Sequence, residues 1–392
     1  MKPLGLLFFL SIILWLVTYA VSPPYPNKDD RLCLRPPAFY TQDVKDRFCI
    51  QDGPSSNSRP NIVLLALGGT VSAVADSPTN TSHYTVGVLS IHSLLQNITE
   101  RWSPCVNVTA YQIMSLDSID MNSSHMISMS RRVNKELNNP DVTGVILLGG
   151  TDAMIEYLTF IALTVKSKKP IIGTGAYRPH TAHDADGLQN IVDAVILAAT
   201  EGWSEDYYEV AMVMDGDIFR LWGTRKENDR FVPGFGSSIG RVEGYRVSFH
   251  DLPGRPAPFK FDMTEFSSVS LLPVVPIFLV HTGFDYKALE KAVDEGARGL
   301  IIGVYGNGYI PATTGTAITK LAYEKDIVVM GAGVNSVAVT YARVKGMIPG
   351  QDWDARQLRI LTQLYLVQGK GTNKHELKKG LEHGAKPHIS AE

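Results

Sequence analysis

Two Gly-Gly-Thr triplets, Gly68-Gly69-Thr70 and Gly149-Gly150-Thr151, each stand directly behind an apolar run. Glycine lets the backbone turn tightly and approach a ligand, while threonine brings a hydroxyl that becomes a nucleophile once a neighbour activates it. The second triplet continues into the carboxylate of Asp152. Between the two, "SLDSIDMN" supplies Asp117, Ser118 and Asp120, and farther on "GAYRP" adds Arg178. Singly, each has a plain explanation, because Gly-Gly-Thr is a common turn and Thr-Asp ahead of a helix is a common N-cap. Repetition of the same chemistry is harder to explain by turns alone. A pair of hydroxyls with no cofactor motif beside them points to attack on a carbonyl.

The elements around these residues predict where they meet. Short apolar runs at Ile62–Leu67, Val108–Met114, Val142–Leu148, Pro170–Thr174 and Val210–Met214 read as strands. Amphipathic stretches at Ser124–Asn138, Met154–Lys166 and Gly187–Thr200 read as helices between them. Strands alternating with helices predict βαβ units and an α/β fold with a mostly parallel sheet. In such sheets ligands sit outside the carboxyl ends of the strands. Each polar loop named above follows a strand, so one sheet edge receives all of them.

A polar, proline-rich stretch then breaks the rhythm and reads as a linker over residues 251–273. It separates an N-terminal α/β domain (59–250) from a smaller C-terminal α/β domain (274–392). In the latter, strands are expected at Pro276–Val280, Gly299–Val304 and Ile327–Met330. Helices are expected at Tyr286–Glu295, Thr314–Lys325, Asp354–Val367 and Asn373–His383.

The 392-residue chain is 44% hydrophobic, enough for two cores, and its formal charge of −2 gives no electrostatic case for nucleic acid. No G-x-G-x-x-G or phosphate-loop motif appears, and the three cysteines lack metal-ligand spacing, so neither cofactor nor metal is expected. His180 and His183 in "RPHTAHD" read as solvated loop residues. Residues 1–20 read as a signal peptide, with an uncleaved membrane anchor as the alternative; residues 21–58 form an irregular lead-in. Either way the chain is placed in the secretory lumen or outside the cell. Four sequons, at Asn80, Asn97, Asn107 and Asn122, fit that route as glycosylation sites. An oxidising compartment favours a Cys33–Cys49 bridge with Cys105 single, although Cys105 could pair with either.

The motifs taken together resemble the L-asparaginase/glutaminase family, the bacterial-type amidohydrolases with a threonine nucleophile. "LALGGTVSA" is similar to the family's first signature and "LGGTDAMIE" to its second. "KKPIIGTGAYRP", "ADGLQNIVDAV", "GVYGNG" and "DARQLRILTQLYL" follow in the family's order. The resemblance spans about residue 59 to near the end. It implies a two-domain α/β fold, a homo-oligomer (dimer or tetramer), and hydrolysis of the side-chain amide of asparagine to aspartate and ammonia.

It also implies roles. Thr70 matches the nucleophile, and Tyr84, on a lid after it, the tyrosine that polarises that hydroxyl. Thr151 matches the second catalytic threonine, Ser118 the serine holding the substrate carboxylate, and Asp152 the carboxylate gripping its ammonium. The family's lysine falls on Arg225 in an ungapped alignment, with Lys226 adjacent. Lysine can exchange a proton in a way arginine cannot, which favours Lys226.

Departures stand beside the matches. Leu67 replaces a threonine, Gly149 a histidine, Ala153 a threonine, and Ile119 a glutamine. Tyr309 stands where asparagine is common, and no acidic residue in "VNSVAVTYARVKG" matches the one lent between subunits. These substitutions keep two alternatives open: a non-catalytic extracellular glycoprotein, and an amidohydrolase for a different substrate.

Overall fold

The computed structural model describes residues 59–96, 98–101, 106–200, 203, 210–233, 238–250, 259–266, 271–334, 338–368 and 374–384. The proposed signal peptide, the lead-in, Asn97 and all three cysteines lie outside the described residues.

The N-terminal half begins with β1 (Asn61–Gly68), α1 (Ile91–Leu95), β2 (Asn107–Leu116), α2 (Ser123–Leu137), β3 (Gly144–Leu148), α3 (Met154–Thr164), β4 (Ile171–Thr174), α4 (Gly187–Ala199) and β5 (Val210–Met214). Three further short strands, β6 (Asp217–Arg220), β9 (Gly240–Glu243) and β10 (Arg246–Phe249), complete an eight-stranded sheet. Between β6 and β9 lies a separate hairpin, β7 (Arg225–Glu227) with β8 (Arg230–Val232). The sheet order is β10-β9-β6-β5-β4-β3-β1-β2. From β5 to β2 every pairing is parallel, and from β5 to β10 every pairing is antiparallel.

The C-terminal half holds β11 (Ile277–Leu279), α5 (Lys287–Asp294), β12 (Gly299–Val304), α6 (Ala312–Glu324), β13 (Val328–Gly333), β14 (Met347–Pro349), α7 (Ala355–Val367) and α8 (Lys374–Gly384). Its four strands form one parallel sheet in chain order.

Period-two patterning divides the core. Val63, Leu65 and Leu67 of β1, with Val145 and Leu147 of β3, face α2 and α3. Ile62, Leu64, Ala66, Ile146 and Leu148 face α4 on the other side. A parallel sheet covered on both faces needs such continuous apolar strands. Leu358, Leu361 and Leu364 of α7 join the first of these clusters together with Ile301 and Met330 of the C-terminal sheet. Gln357 Nε2 donates to Leu221 O at 3.2 Å, and Trp222 stacks on Trp353 with ring centroids 4.3 Å apart. Helix α7 therefore ties the two sheets into one packed body.

The predicted strands and helices are present, most with ends shifted by one or two residues. The antiparallel addition β6–β9–β10 was not predicted. Its strands are only four residues long and carry charges, so their apolar pattern is faint. The legible signal was Asp215-Gly216, whose φ values of 52° and 79° make the two-residue hairpin turn between β5 and β6.

Candidate active site

From β1 the chain crosses to β2 on one side, and then to β3 on the other. The carboxyl ends of β1 and β3 thus flank the point where strand order reverses, the place where open α/β sheets bind ligands. Both Gly-Gly-Thr triplets stand there. A Cβ on Gly69 would lie 2.3 Å from Gly150 N, and one on Gly150 would lie 2.6 Å from Ser118 Oγ. Gly69 also has φ of 82°, a region L-residues rarely adopt. Three loops, after β1, β2 and β3, therefore pack closely, Gly69 on the Gly150 backbone and Gly150 on Ser118, and any side chain at Gly69 or Gly150 would force them apart.

Each threonine hydroxyl has a partner. Thr70 opens a single 3₁₀ turn, Thr70–Ser72, and its Oγ1 lies 3.3 Å from Tyr84 OH. Tyr84 arrives on a short hairpin closed by reciprocal Val74 and Thr85 backbone bonds of 3.0 and 2.9 Å. Thr151 is buried, and Lys226 Nζ donates to its Oγ1 at 2.9 Å and to Asp152 Oδ1 at 2.6 Å. The β7–β8 hairpin presents this lysine, turning through Asn228 and Asp229 at φ of 47° and 60°. Asn and Asp tolerate that left-handed conformation better than other side chains. Arg225 is directed elsewhere, with Nε 3.0 Å from Glu227 Oε1.

Neither Thr151 nor Asp152 caps α3. The N-cap is Ala153, with no side-chain cap bond, and its N–H donates to the buried Ser118 Oγ at 3.4 Å. The N-cap explanation for Thr-Asp is thereby removed. Asp117, in contrast, does cap its own turn by accepting from Ile119 N. Arg178 is tied within its loop, Nε to Asp184 Oδ2 at 2.8 Å. The geometry thus brings together Thr70, Tyr84, Thr151, Asp152, Ser118 and Lys226.

Comparison with known proteins places the chain in a family. Residues 61–253 match the asparaginase N-terminal domain family, and residues 274–379 match the glutaminase/asparaginase C-terminal domain family. The chain belongs to the asparaginase family. It is 29% identical to L-asparaginase 2 of Escherichia coli (strain K12) over 327 residues, which is 79% of this chain and 90% of that one. It is 30% identical to probable L-asparaginase 1 of Schizosaccharomyces pombe over 259 residues, 64% of this chain and 69% of that one. The crystal structure of a probable cytoplasmic L-asparaginase from Campylobacter jejuni superimposes with a TM-score of 0.73. That match covers 83% of this chain and 99% of the other at 24% identity, and bears on the fold alone.

Against the asparaginase signatures, two departures turn out to be one packed set. A Cβ on Gly149 would lie 3.0 Å from both Leu67 Cδ1 and Tyr157 OH. Leu67 is 2% exposed and Tyr157 is fully buried, so the space a larger residue 149 would need is already filled. Burial pushes the Tyr157 phenol well above its ordinary range, which keeps it neutral. Ile119 is 70% exposed beside Ser118 and presents an apolar surface at the rim. Tyr309 lies in the other domain, where Arg343 stacks on it with Cζ 3.7 Å from the ring centroid. A cavity of about 520 Å³ in that domain is lined by both residues and by none of the threonine-site residues.

Three of the four sequon asparagines are described. Asn107 and Asn122 are exposed, and Asn122 Oδ1 caps α2 by accepting from Ser124 N and His125 N. Asn80 is half-buried at the hairpin tip, its Nδ2 donating to Asp76 Oδ1 at 2.9 Å.

Proposed function

We propose that this asparaginase-family chain hydrolyses the side-chain amide of an amino acid such as asparagine, to aspartate and ammonia, through an acyl-enzyme on Thr70. The single observation that supports it most is that Thr70 Oγ1, 3.3 Å from Tyr84 OH, and Thr151 Oγ1, accepting from Lys226 Nζ, stand on loops joined at the Gly69–Gly150 contact. Ser118 Oγ would hold the substrate carboxylate, and Asp152, whose side chain is 55% exposed, would hold its ammonium. Fixing both ends of the amino acid sets the distance and angle of attack, where an ångström matters.

In this scheme Thr70 Oγ1 attacks the amide carbon and its proton passes to the departing nitrogen. The C–N bond breaks, ammonia leaves, and an ester remains on Thr70. Water then adds to that ester, the C–O bond to Thr70 breaks, and the hydroxyl regains its proton. Thr151 and Lys226 form the couple through which a proton reaches the second step, and backbone N–H groups of the glycine-rich turns stabilise the oxyanion.

Ile119 favours a second form of the reading, with a less polar amide as the preferred substrate. Ammonia release from asparagine, glutamine and a panel of apolar amides by the purified chain tests both. Release that persists in Thr70→Ala would remove the nucleophile assignment. Release from none of these amides would leave the non-catalytic glycoprotein.

The proposal includes export through the secretory route, supported by the apolar N-terminal run and the sequons. Among the described residues, no helix is long and apolar enough to cross a membrane. It includes self-association as a dimer or tetramer, which the family resemblance suggests. N-terminal sequencing, glycosidase treatment and light scattering of the purified protein measure these directly.

A further inference from the structure

The loop between β4 and α4, residues 175–186, touches both hairpins of the proposed site. On one side it meets the hairpin that carries Tyr84. Ala75 N donates to Thr181 Oγ1 at 2.9 Å, His180 N to Ala73 O at 3.0 Å, and His183 N to Pro78 O at 3.2 Å. On the other side it meets the hairpin that carries Lys226. Phe231 N donates to Tyr177 OH at 2.9 Å, and Phe231 is the residue paired with Lys226 across β7 and β8. The Tyr177 and Phe231 rings also lie 6.1 Å apart, and Arg230 covers the Tyr177 face at 5.0 Å.

The loop itself is held from below. Asp186, 9% exposed, accepts from Tyr177 N at 2.9 Å, from Arg178 N at 3.0 Å and from Asn190 Nδ2 at 2.9 Å. A carboxylate bound by three N–H donors is a strong local anchor. Gly187 sits against Val71, the residue after Thr70, since a Cβ there would lie 2.7 Å from Val71 Cγ2. Burial pushes the Tyr177 phenol well above its usual range, so the group whose oxygen accepts the Phe231 N–H stays a neutral hydroxyl.

We propose that residues 177–186 act as a shared clamp, in which Thr181 positions the Tyr84 hairpin, Tyr177 positions the Lys226 hairpin, and Asp186 fixes both to α4. Resting on the reading of Thr70 and Thr151 as the reacting pair, the clamp sets the two hydroxyl partners relative to one another from a single rigid base. All three side chains are positioning residues, because none touches a reacting atom.

The test uses the full purified chain with Thr181→Val, Thr181→Ser and Tyr177→Phe, followed by amide hydrogen exchange and steady-state ammonia release. Thr181→Val is expected to speed exchange in residues 73–85 and leave 225–232 unchanged. Tyr177→Phe is expected to do the reverse. Each should lower kcat about tenfold, the worth of one hydrogen bond, with KM moving less than about threefold. Thr181→Ser, which keeps the acceptor oxygen, should restore both readouts. Exchange unchanged in both segments, or raised equally everywhere, would overturn the clamp. Should the native protein release no ammonia, the exchange pattern alone decides the clamp, and the catalytic reading fails separately.

Discussion

The two Gly-Gly-Thr turns share a tripeptide and differ in almost every physical respect. In the first, Gly68 and Gly69 have φ of 107° and 82°, so backbone conformation demands glycine. In the second, neither Gly149 nor Gly150 has a positive φ, and glycine is required by crowding from Leu67, Tyr157 and Ser118. Thr70 is half-buried and meets a partner fourteen residues away on a hairpin. Thr151 is buried and meets a partner seventy-five residues away on another. The lesson is a division of labour: a half-buried hydroxyl within reach of solvent at the first turn, and an enclosed one at the second.

The largest expected effect tests whether the two act as a unit. Thr70→Ala and Thr151→Ala should each cut kcat for amide hydrolysis about a thousandfold or more, and the double variant should be little worse than either. Multiplicative losses would mean that the hydroxyls work independently.

Next come their partners. Lys226→Met should lower kcat about a hundredfold through loss of the Thr151 contact, whereas Arg225→Met, whose guanidinium faces Glu227, should change it less than about twofold. The reverse order would return the lysine role to Arg225.

Folding stability separates the glycines. Gly69→Ala should cost about 3 kcal/mol or more, since a strained φ adds to a clash with Gly150 backbone. Gly149→Ala meets only side-chain atoms of Leu67 and Tyr157, not backbone, and should cost about 1 to 2 kcal/mol by urea unfolding. Equal costs would dissolve the distinction between the turns.

The smallest effect lies off the site, on the same helix that anchors the clamp. Burial pushes the Asp193 carboxyl up to about 7, opposed by the hydrogen bond from Gln189. Its folded value exceeds the unfolded one, so the folded state holds a proton that the unfolded state has lost between about pH 4 and 7. The stability it contributes is complete below that window and lost as pH rises through it, with a slope of at most about 1.4 kcal/mol per pH unit. Asp193→Asn should flatten this slope in pH-dependent urea unfolding while leaving both threonine pairs intact.

Much of the site was legible as residue types. Ser118, Thr151 and Asp152 follow strands whose apolar runs mark them, and Lys226 was favoured by what lysine can do chemically. What remained hidden was which neighbours serve the loops rather than the ligand. Arg178 and Asp117 have the right chemistry and the right place in the chain. One pairs with Asp184 and the other caps its own turn, and neither fact follows from local sequence. Thr181 and Tyr177 showed no signal at all, because a threonine in a polar loop and a tyrosine before an arginine are unremarkable until their partners arrive.

By itself the sequence determined the alternation of strand and helix, and with it the sheet edge where both threonines must emerge, because periodicity and turn chemistry are local properties of the chain. Only the tertiary structure decided that Leu67 and Tyr157 fill the space beside Gly149, that Lys226 rather than Arg225 reaches Thr151, and that one loop braces both hairpins. Those outcomes depend on contacts between residues up to 106 positions apart, and hydrogen-bond reach and close packing act across space without leaving a mark in the order of the residues.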